Sequence, residues 1–255
     1  MRSVLNALRV LEEVASRQPI GVGELARVLD MPKSSVQRAL HTLNTAGWIR
    51  PARGEVTRWV VTTKALDVGR HASGDLDLRD AAVPAMEELR RCTEETIHLT
   101  VREGDKMVLI ERLETSKPVR ISMSLGHALP LHASANGKAV LANSPSDAIA
   151  QLLAQELPRY TDTTITDPDE LTAELQRVRE QGYATNNGEW RSDVGSVAAA
   201  IMGGPGEPIG SLSINIPLHR LTDASRSFYG KAVSEAARTL SARLGHEPAV
   251  SATEA

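Results

Sequence analysis

The stretch Gly21 to Ile49, GVGELARVLDMPKSSVQRALHTLNTAGWI, constrains this chain more than any other. Leu25, Val28 and Leu29 fall on one side of a helix predicted over about 23–29. Asp30-Met31 supplies a tight turn, and Pro32 stands where proline is best tolerated, in the first turn of a new helix. That helix, predicted over 32–46, sets Val36, Leu40 and Leu43 at i, i+4, i+7 on an inward stripe. Lys33, Ser34, Ser35, Gln37, Arg38, His41 and Thr42 are left to point elsewhere. Two short helices joined in this way, the second with a polar face, have the form of a helix-turn-helix. Such a unit lays the N-terminal residues of its second helix against base edges in the major groove. Gln37 suits bidentate bonding to adenine and Arg38 suits guanine or phosphate. Ser34 and Ser35 suit phosphate oxygens at the helix N-terminus. The competing reading is an ordinary solvated helix face, and what surrounds the segment decides against it.

Upstream, Val4, Leu5, Leu8, Leu11 and Ala15 repeat at helical spacing until Gln18-Pro19, with Ser3 as an N-cap. Downstream, Gly47 stops the helix. Trp48-Ile49 and Trp59-Val60-Val61 then bracket Arg53-Gly54-Glu55, the pattern of a hairpin. A hairpin directly after a recognition helix is a wing, and Arg50, Arg53 and Arg58 would reach phosphates or the minor groove. Trp48 and Trp59 are expected to pack the wing onto the helices. Charge agrees: Met1 to Gly74 holds eleven Lys/Arg against six Asp/Glu, while the remainder holds eighteen against twenty-six. The +5 and −8 halves hide inside a net charge of −3 and put the basic surface where DNA would lie.

The 255 residues suffice for two modest domains. Apolar residues are 41% but aromatics only 3%, so cores must be built from Leu, Val, Ile and Ala. The single cysteine, Cys92, excludes an intramolecular disulfide and suits a reducing cytoplasm. The first residues, broken by Arg9, Glu12 and Glu13, read as an amphipathic helix and not as a signal peptide. No apolar run is long enough to span a bilayer, so no membrane partner is expected.

Residues 1–62 are assigned to the winged helix-turn-helix, 63–76 to a linker helix, with Ser73-Gly74-Asp75 as the boundary, and 77–246 to a second domain. Residues 247–255 are expected to be a frayed tail. In the second domain a helical stretch, Leu78 to Cys92, gives way from Glu95 to alternation at Ile97, Leu99 and Val101. Glu103-Gly104-Asp105 is the turn to a second strand, and Arg120 to Met123 reads as another short one. Helices are predicted over 135–142, 146–153 and 167–181, the last opened by the cap, proline and glutamate of Asp167-Pro168-Asp169-Glu170 and closed by Gly182. Strands over 183–187, 197–202 and 209–216 precede a final helix over 222–244. The class is α+β with a central, mainly antiparallel sheet.

These residues carry a family pattern. LARVLDMPKSSVQRALHTLNTAGWI, then GHALPLHASANGKAVLA, ELQRVREQGYATNNGEW and IGSLSINIPLHRL occur in the order and spacing of the IclR family of bacterial transcriptional regulators, which the chain resembles over nearly its full length. The resemblance implies a GAF-like effector-binding domain for a small metabolite, often an organic or aromatic acid. It also implies a homodimer or dimer of dimers on a roughly palindromic double-stranded operator, with repression the commoner mode. Carried over by position, the effector pocket would take Ser134, Ala135 and Asn136, then Asn187, Glu189 and Ser196, then Ser213 and Asn215, with Trp190 as a stacking or lid residue. The chain departs from the family at Gly188-Glu189, where two acidic residues are common, at Asp193, often glycine, and at Ala200, often proline. A carboxylate at 193 would repel an acidic effector unless paired, with Arg191 the nearest partner in sequence.

Other chemistries fit less well. Asn136-Gly137-Lys138-Ala139 is not a phosphate loop: His132 stands where its first glycine belongs and Ala139 replaces the magnesium-binding hydroxyl. Lys138 is then expected on the helix surface or in a local pair. His98, His127, His132 and Cys92 lack metal-ligand spacing, and neither GxSxG nor HExxH occurs. The reading is a regulator, not an enzyme, without cofactor or metal. The alternative is an enzyme of the second domain with His132 as acid-base and Ser134 as nucleophile, which i, i+2 spacing on a strand would place together.

Overall fold

The computed structural model describes residues 2–54, 56–69, 73–204 and 206–245, so the tail at 247–255 and Glu55 of the wing turn lie outside the described residues. The chain divides into two compact units, Met1–Gly74 and Asp75–Ala255.

The first unit holds α1 (Arg2–Arg17), α2 (Val22–Val28), α3 (Lys33–Thr45), β1 (Ile49–Pro51), β2 (Trp59–Val61) and α4 (Lys64–Gly69). Its core is Val10, Val14, Ile20, Leu25, Val36, Leu40, Leu43 and Ile49. On α1 the repeat that announces the helix is not the stripe that the unit buries. Val10 and Val14 are sealed under α3 and β2, while Val4, Leu5 and Leu8 stay 63%, 59% and 50% exposed. The helix carries two apolar stripes, and only one can face α3. Val28, expected to be buried, is also exposed, because α2 ends there and Leu29 takes the inward position.

The turn follows from backbone chemistry. Asp30 adopts a left-handed conformation (φ 49°), a state that Asp tolerates better than most residues. Pro32 is the N-cap of α3 and not its first helical residue: ψ is 133°, and its carbonyl receives the first helical bonds from Ser35 N and Val36 N. Gly47 (φ 77°) follows the C-cap, and its N–H and that of Trp48 close onto the carbonyls of Asn44 and Leu43. β1 and β2 pair antiparallel as the expected wing, Ile49 opposite Val61.

The second unit contains all but the first two residues of α5 (Ser73–Thr93), then β3 (Thr96–Glu103), β4 (Lys106–Leu113), β5 (Ala128–Pro130), α6 (Ala135–Ala142), α7 (Ser146–Leu153), α8 (Pro168–Gln181), β6 (Ala184–Asn187), β7 (Val194–Met202), β8 (Pro208–Pro217) and α9 (Asp223–Arg243). The linker helix expected over 63–76 divides between α4 and the first residues of α5, so Ser73-Gly74-Asp75 opens a helix. Residues 70–72 lie outside the described residues. Among the described residues the sheet order is β5-β4-β3-β8-β7-β6, every pairing antiparallel. Residues 120–123 form no strand. Arg120 and Ser122 are held by their side chains on Glu114, and β5 takes the place beside β4.

Alternation splits the sheet into two faces. Ile97, Leu99, Val197, Leu212 and Ile214 pack with Met86 of α5 and Val233 and Leu240 of α9. The opposite face is covered by α6, on which α8 packs in turn, through Ala135, Ala139, Leu171, Leu175 and Val178. Asp167 caps α8 by accepting from the N–H groups of Asp169 and Glu170, and Gly182 (φ 82°) ends it. α6 lies so close to its own approach segment that a Cβ on Gly137 would meet the Leu131 carbonyl oxygen at 2.2 Å.

Candidate functional site

In the first unit, Lys33, Ser34, Gln37, Arg38 and Thr42 of α3 are exposed and Ser35 is half-buried. They share the side opposite Val36, Leu40 and Leu43. Arg38 reaches back to Ser35 Oγ at 3.4 Å, and the Thr42 hydroxyl donates to the Arg38 carbonyl at 3.0 Å. On the wing Arg53 is exposed, while Arg58 donates to the Pro19 carbonyl at 3.1 Å and so braces the wing. Trp48 and Trp59 pack against the unit's core, and Lys64 lies 5.3 Å from the Trp48 ring centroid.

In the second unit, the sheet face under α6 carries a buried polar cluster. The Asn136 amide nitrogen is 3.0 Å from Ser213 Oγ, 3.0 Å from Ser211 Oγ and 3.2 Å from Thr100 Oγ1. Thr100 and Ser211 bond each other at 2.8 Å, and the Asn215 amide donates to Ser213 Oγ at 2.9 Å. Ser196 stands opposite Asn215 on β7. All are neutral groups able to give or receive hydrogen bonds, and all are almost wholly buried. The structure thus unites Asn136, Ser213 and Asn215 and adds Thr100 and Ser211. Alternation alone could have found these two: Ser211, Ser213 and Asn215 are i, i+2, i+4 on β8.

The largest departure from expectation is Lys138, which is neither on a surface nor locally paired. It is 1% exposed, and its Nζ lies 2.7 and 2.8 Å from the two oxygens of Glu189 and 3.2 Å from Glu174 Oε1. The small residues of α6 let the helix bury on every side, and a lysine within it must then find buried partners. Glu189 is spent on Lys138, with Asn187 N also 3.4 Å away. Burial raises the Glu189 pKa, against the pull of Lys138. For Glu174 burial works the same way, but Lys138 and Arg177 together bring it below the usual range. Thr161 and Thr164 donate to the Glu189 carbonyl, which fastens the segment after β6.

Ala135 sits in the apolar core. Ser134 is the N-cap of α6: its hydroxyl donates to Pro130 O at 2.6 Å and accepts from Gly137 N at 3.0 Å. His132 bonds Pro158 O through Nε2, and burial lowers its pKa. The two side chains of the enzyme alternative therefore serve different backbone groups. Asn187 is exposed. Half-buried Trp190 meets His127 with ring centroids 5.6 Å apart. Asp193 is exposed and 3.7 Å from Arg191. It stands in solvent, so it does not load the buried cluster with charge.

Comparisons with known proteins agree with this architecture. Residues 3–53 match the family described as the IclR helix-turn-helix domain, and residues 70–242 match the bacterial transcriptional regulator IclR C-terminal domain. The transcriptional regulator KdgR of Escherichia coli K12 is 34% identical over 245 residues, which cover 96% of this chain and 93% of that one. The crystal structure of Thermotoga maritima IclR superposes with a TM-score of 0.81 at 27% identity, over 96% of this chain and 100% of that chain. An IclR homologue from Microbacterium hydrocarbonoxydans, solved with 4-hydroxybenzoate, gives 0.79 at 25% identity over 95% and 98%.

Proposed function

The chain belongs to the IclR family of bacterial transcriptional regulators, and on that premise we propose that it is a repressor whose hold on its operator is set by a small metabolite bound between α6 and the sheet. The observation that carries the effector site is the meeting of Thr100, Asn136, Ser211, Ser213 and Asn215 in one buried cluster. Buried polar groups are costly unless satisfied, and a cluster of neutral donors and acceptors on a sheet face is what fixes a ligand's orientation. An organic or aromatic acid is the expected class, in keeping with the relative that carries 4-hydroxybenzoate. Ser134, Ala135, Asn187, Glu189, Trp190 and Ser196 are carried over by position in the family as further effector residues, with Ser134 capping α6 and Glu189 pairing with Lys138. The commitment of the Ser134 hydroxyl to capping favours a sensor over an enzyme that uses Ser134 as nucleophile.

DNA is read by Lys33, Ser34, Ser35, Gln37, Arg38 and Thr42 in the major groove, with Arg53 and Arg58 along the backbone. The exposed stripe of Val4, Leu5 and Leu8 supports self-association through α1 into a homodimer or dimer of dimers. Two copies would present paired recognition helices to a roughly palindromic site. The setting is cytoplasmic.

The test is operator binding by fluorescence anisotropy. Arg38→Ala lowers affinity at least about fivefold while thermal stability holds, since one base or phosphate contact is worth about 1–3 kcal/mol. Affinity unchanged in that variant removes α3 as the reading helix.

A further inference from the structure

His98 occupies the centre of β3. Its neighbours Ile97 and Leu99 face α5 and α9, so by alternation His98 faces the other way, with Thr100 and the polar cluster. It stands opposite Ser213 on β8 and opposite Arg112 on β4. The side chain is 0% exposed, and neither Nδ1 nor Nε2 has a hydrogen-bond partner among the described residues. The groups nearest it are committed elsewhere. Ser213 Oγ receives the amides of Asn136 and Asn215. Arg112 donates to Met123 O and to Ser122 Oγ and pairs with Glu114, which also holds Arg120. An imidazole left unpaired at both nitrogens forfeits its hydration with nothing in return, and a partner from outside the chain would relieve that cost.

The partner's chemistry follows from the charge state of the ring. Burial, then the charge of Arg112, outweigh Glu114 and hold the pKa of His98 at about 4. The ring is neutral at pH 7, so one nitrogen donates and the other must receive. A carboxylate can only accept, and would leave the bare nitrogen unmet. A hydroxyl both donates and accepts. Lys138, the one ammonium buried under this face among the described residues, is already taken by Glu189 and Glu174.

We propose that His98 is a specificity-determining contact of the effector, and that it selects a hydroxylated molecule over its deoxy counterpart by directing hydroxyl groups onto the two ring nitrogens. This deepens, and rests on, the reading of the α6 face as the effector site.

The test uses the full chain and two matched pairs, 4-hydroxybenzoate with benzoate and gluconate with hexanoate, titrated by calorimetry. In the unaltered protein the hydroxylated member of at least one pair binds about tenfold tighter, the value of one satisfied buried hydrogen bond. In His98→Phe that ratio falls to near one. His98→Asn, which keeps a donor and an acceptor, retains it. The ¹⁵N signals of His98 move when the hydroxylated member is added. Equal binding within both pairs, a ratio that survives in His98→Phe, or no binding by any of the four overturns the proposal. Ser213→Ala separates this failure from the larger one. If it weakens both members of a pair while His98→Phe leaves their ratio intact, only the role of His98 falls. If hydroxylated compounds bind and Ser213→Ala leaves them untouched, the effector site lies elsewhere.

Discussion

Replacing Lys138 by methionine removes the single cation from a buried cluster of three charges. Its ammonium lies within 2.8 Å of both Glu189 oxygens and 3.2 Å from Glu174. Glu174 retains Arg177 at 2.8 Å, whereas no other cation is paired with Glu189 among the described residues. Removing one partner of a buried ion pair costs about 3–5 kcal/mol, chiefly from the charge left behind. With a second partner kept for Glu174, the lower end applies. At roughly 2–4 °C per kcal/mol for a domain of this size, the second unit of Lys138→Met melts roughly 10 °C early. The assay is thermal unfolding of the full chain by far-UV circular dichroism and tryptophan fluorescence at pH 7.5 and pH 5. Burial already raises the Glu189 pKa, and loss of Lys138 raises it further. A carboxyl whose folded pKa is raised costs stability as pH climbs from its unfolded value, about 4.3, through the folded one. The deficit of Lys138→Met is therefore largest at pH 7.5 and shrinks at pH 5. Lys138→Met with Glu189→Gln recovers part of it. A loss under about 1 kcal/mol at pH 7.5, or the same loss at both pH values, refutes the buried-pair account.

Three further outcomes follow from other parts of the chain. His98 has a folded pKa of about 4 against an ordinary 6.5, so the unfolded state takes up the proton first as pH falls. Its contribution is complete above pH 6.5 and declines toward pH 4 by about 3 kcal/mol, so denaturant unfolding of His98→Phe shows a shallower loss over that window. Gly137→Ala drives a Cβ to 2.2 Å from Leu131 O, and overpacking of this kind costs about 1–3 kcal/mol or more, read as a lower Tm. Leu5→Glu with Leu8→Glu leaves the core untouched but charges the exposed stripe of α1. Sedimentation shows a smaller assembly and operator binding weakens; an unchanged sedimentation coefficient removes α1 from the interface.

Punctuation residues made much of the second unit legible. Asp167-Pro168 and Gly182 bracket α8 within a residue of expectation, and Gly104 (φ 61°) turns β3 into β4. The helical repeat of Val36, Leu40 and Leu43 likewise identified the buried side of α3 and so its outward side. What stayed hidden depended on long-range company. Lysine is almost never fully buried unless paired, and the partners of Lys138 lie 36 and 51 residues away, so nothing local marks its burial. Alternation places His98 on the face of Thr100, but only the packed sheet reveals two orphaned ring nitrogens. Arg120 to Met123 has strand-like residues, yet side-chain bonds to Glu114 hold it out of the ladder. On α1 two apolar stripes compete, and the sequence offers no means of telling which one α3 will cover.

Regulation of the proposed kind requires coupling between the polar cluster and α3. The most direct measurement is operator affinity of the full chain at fixed salt, titrated with whichever small molecule raises its melting temperature, alongside Ser213→Ala/Asn215→Ala. Reciprocal linkage requires that a molecule altering DNA affinity has its own affinity altered by DNA to the same factor. A change in operator affinity of about tenfold or more in the unaltered chain, absent from the double variant, is the predicted result. A bound, stabilising molecule that leaves operator affinity the same in both proteins contradicts it.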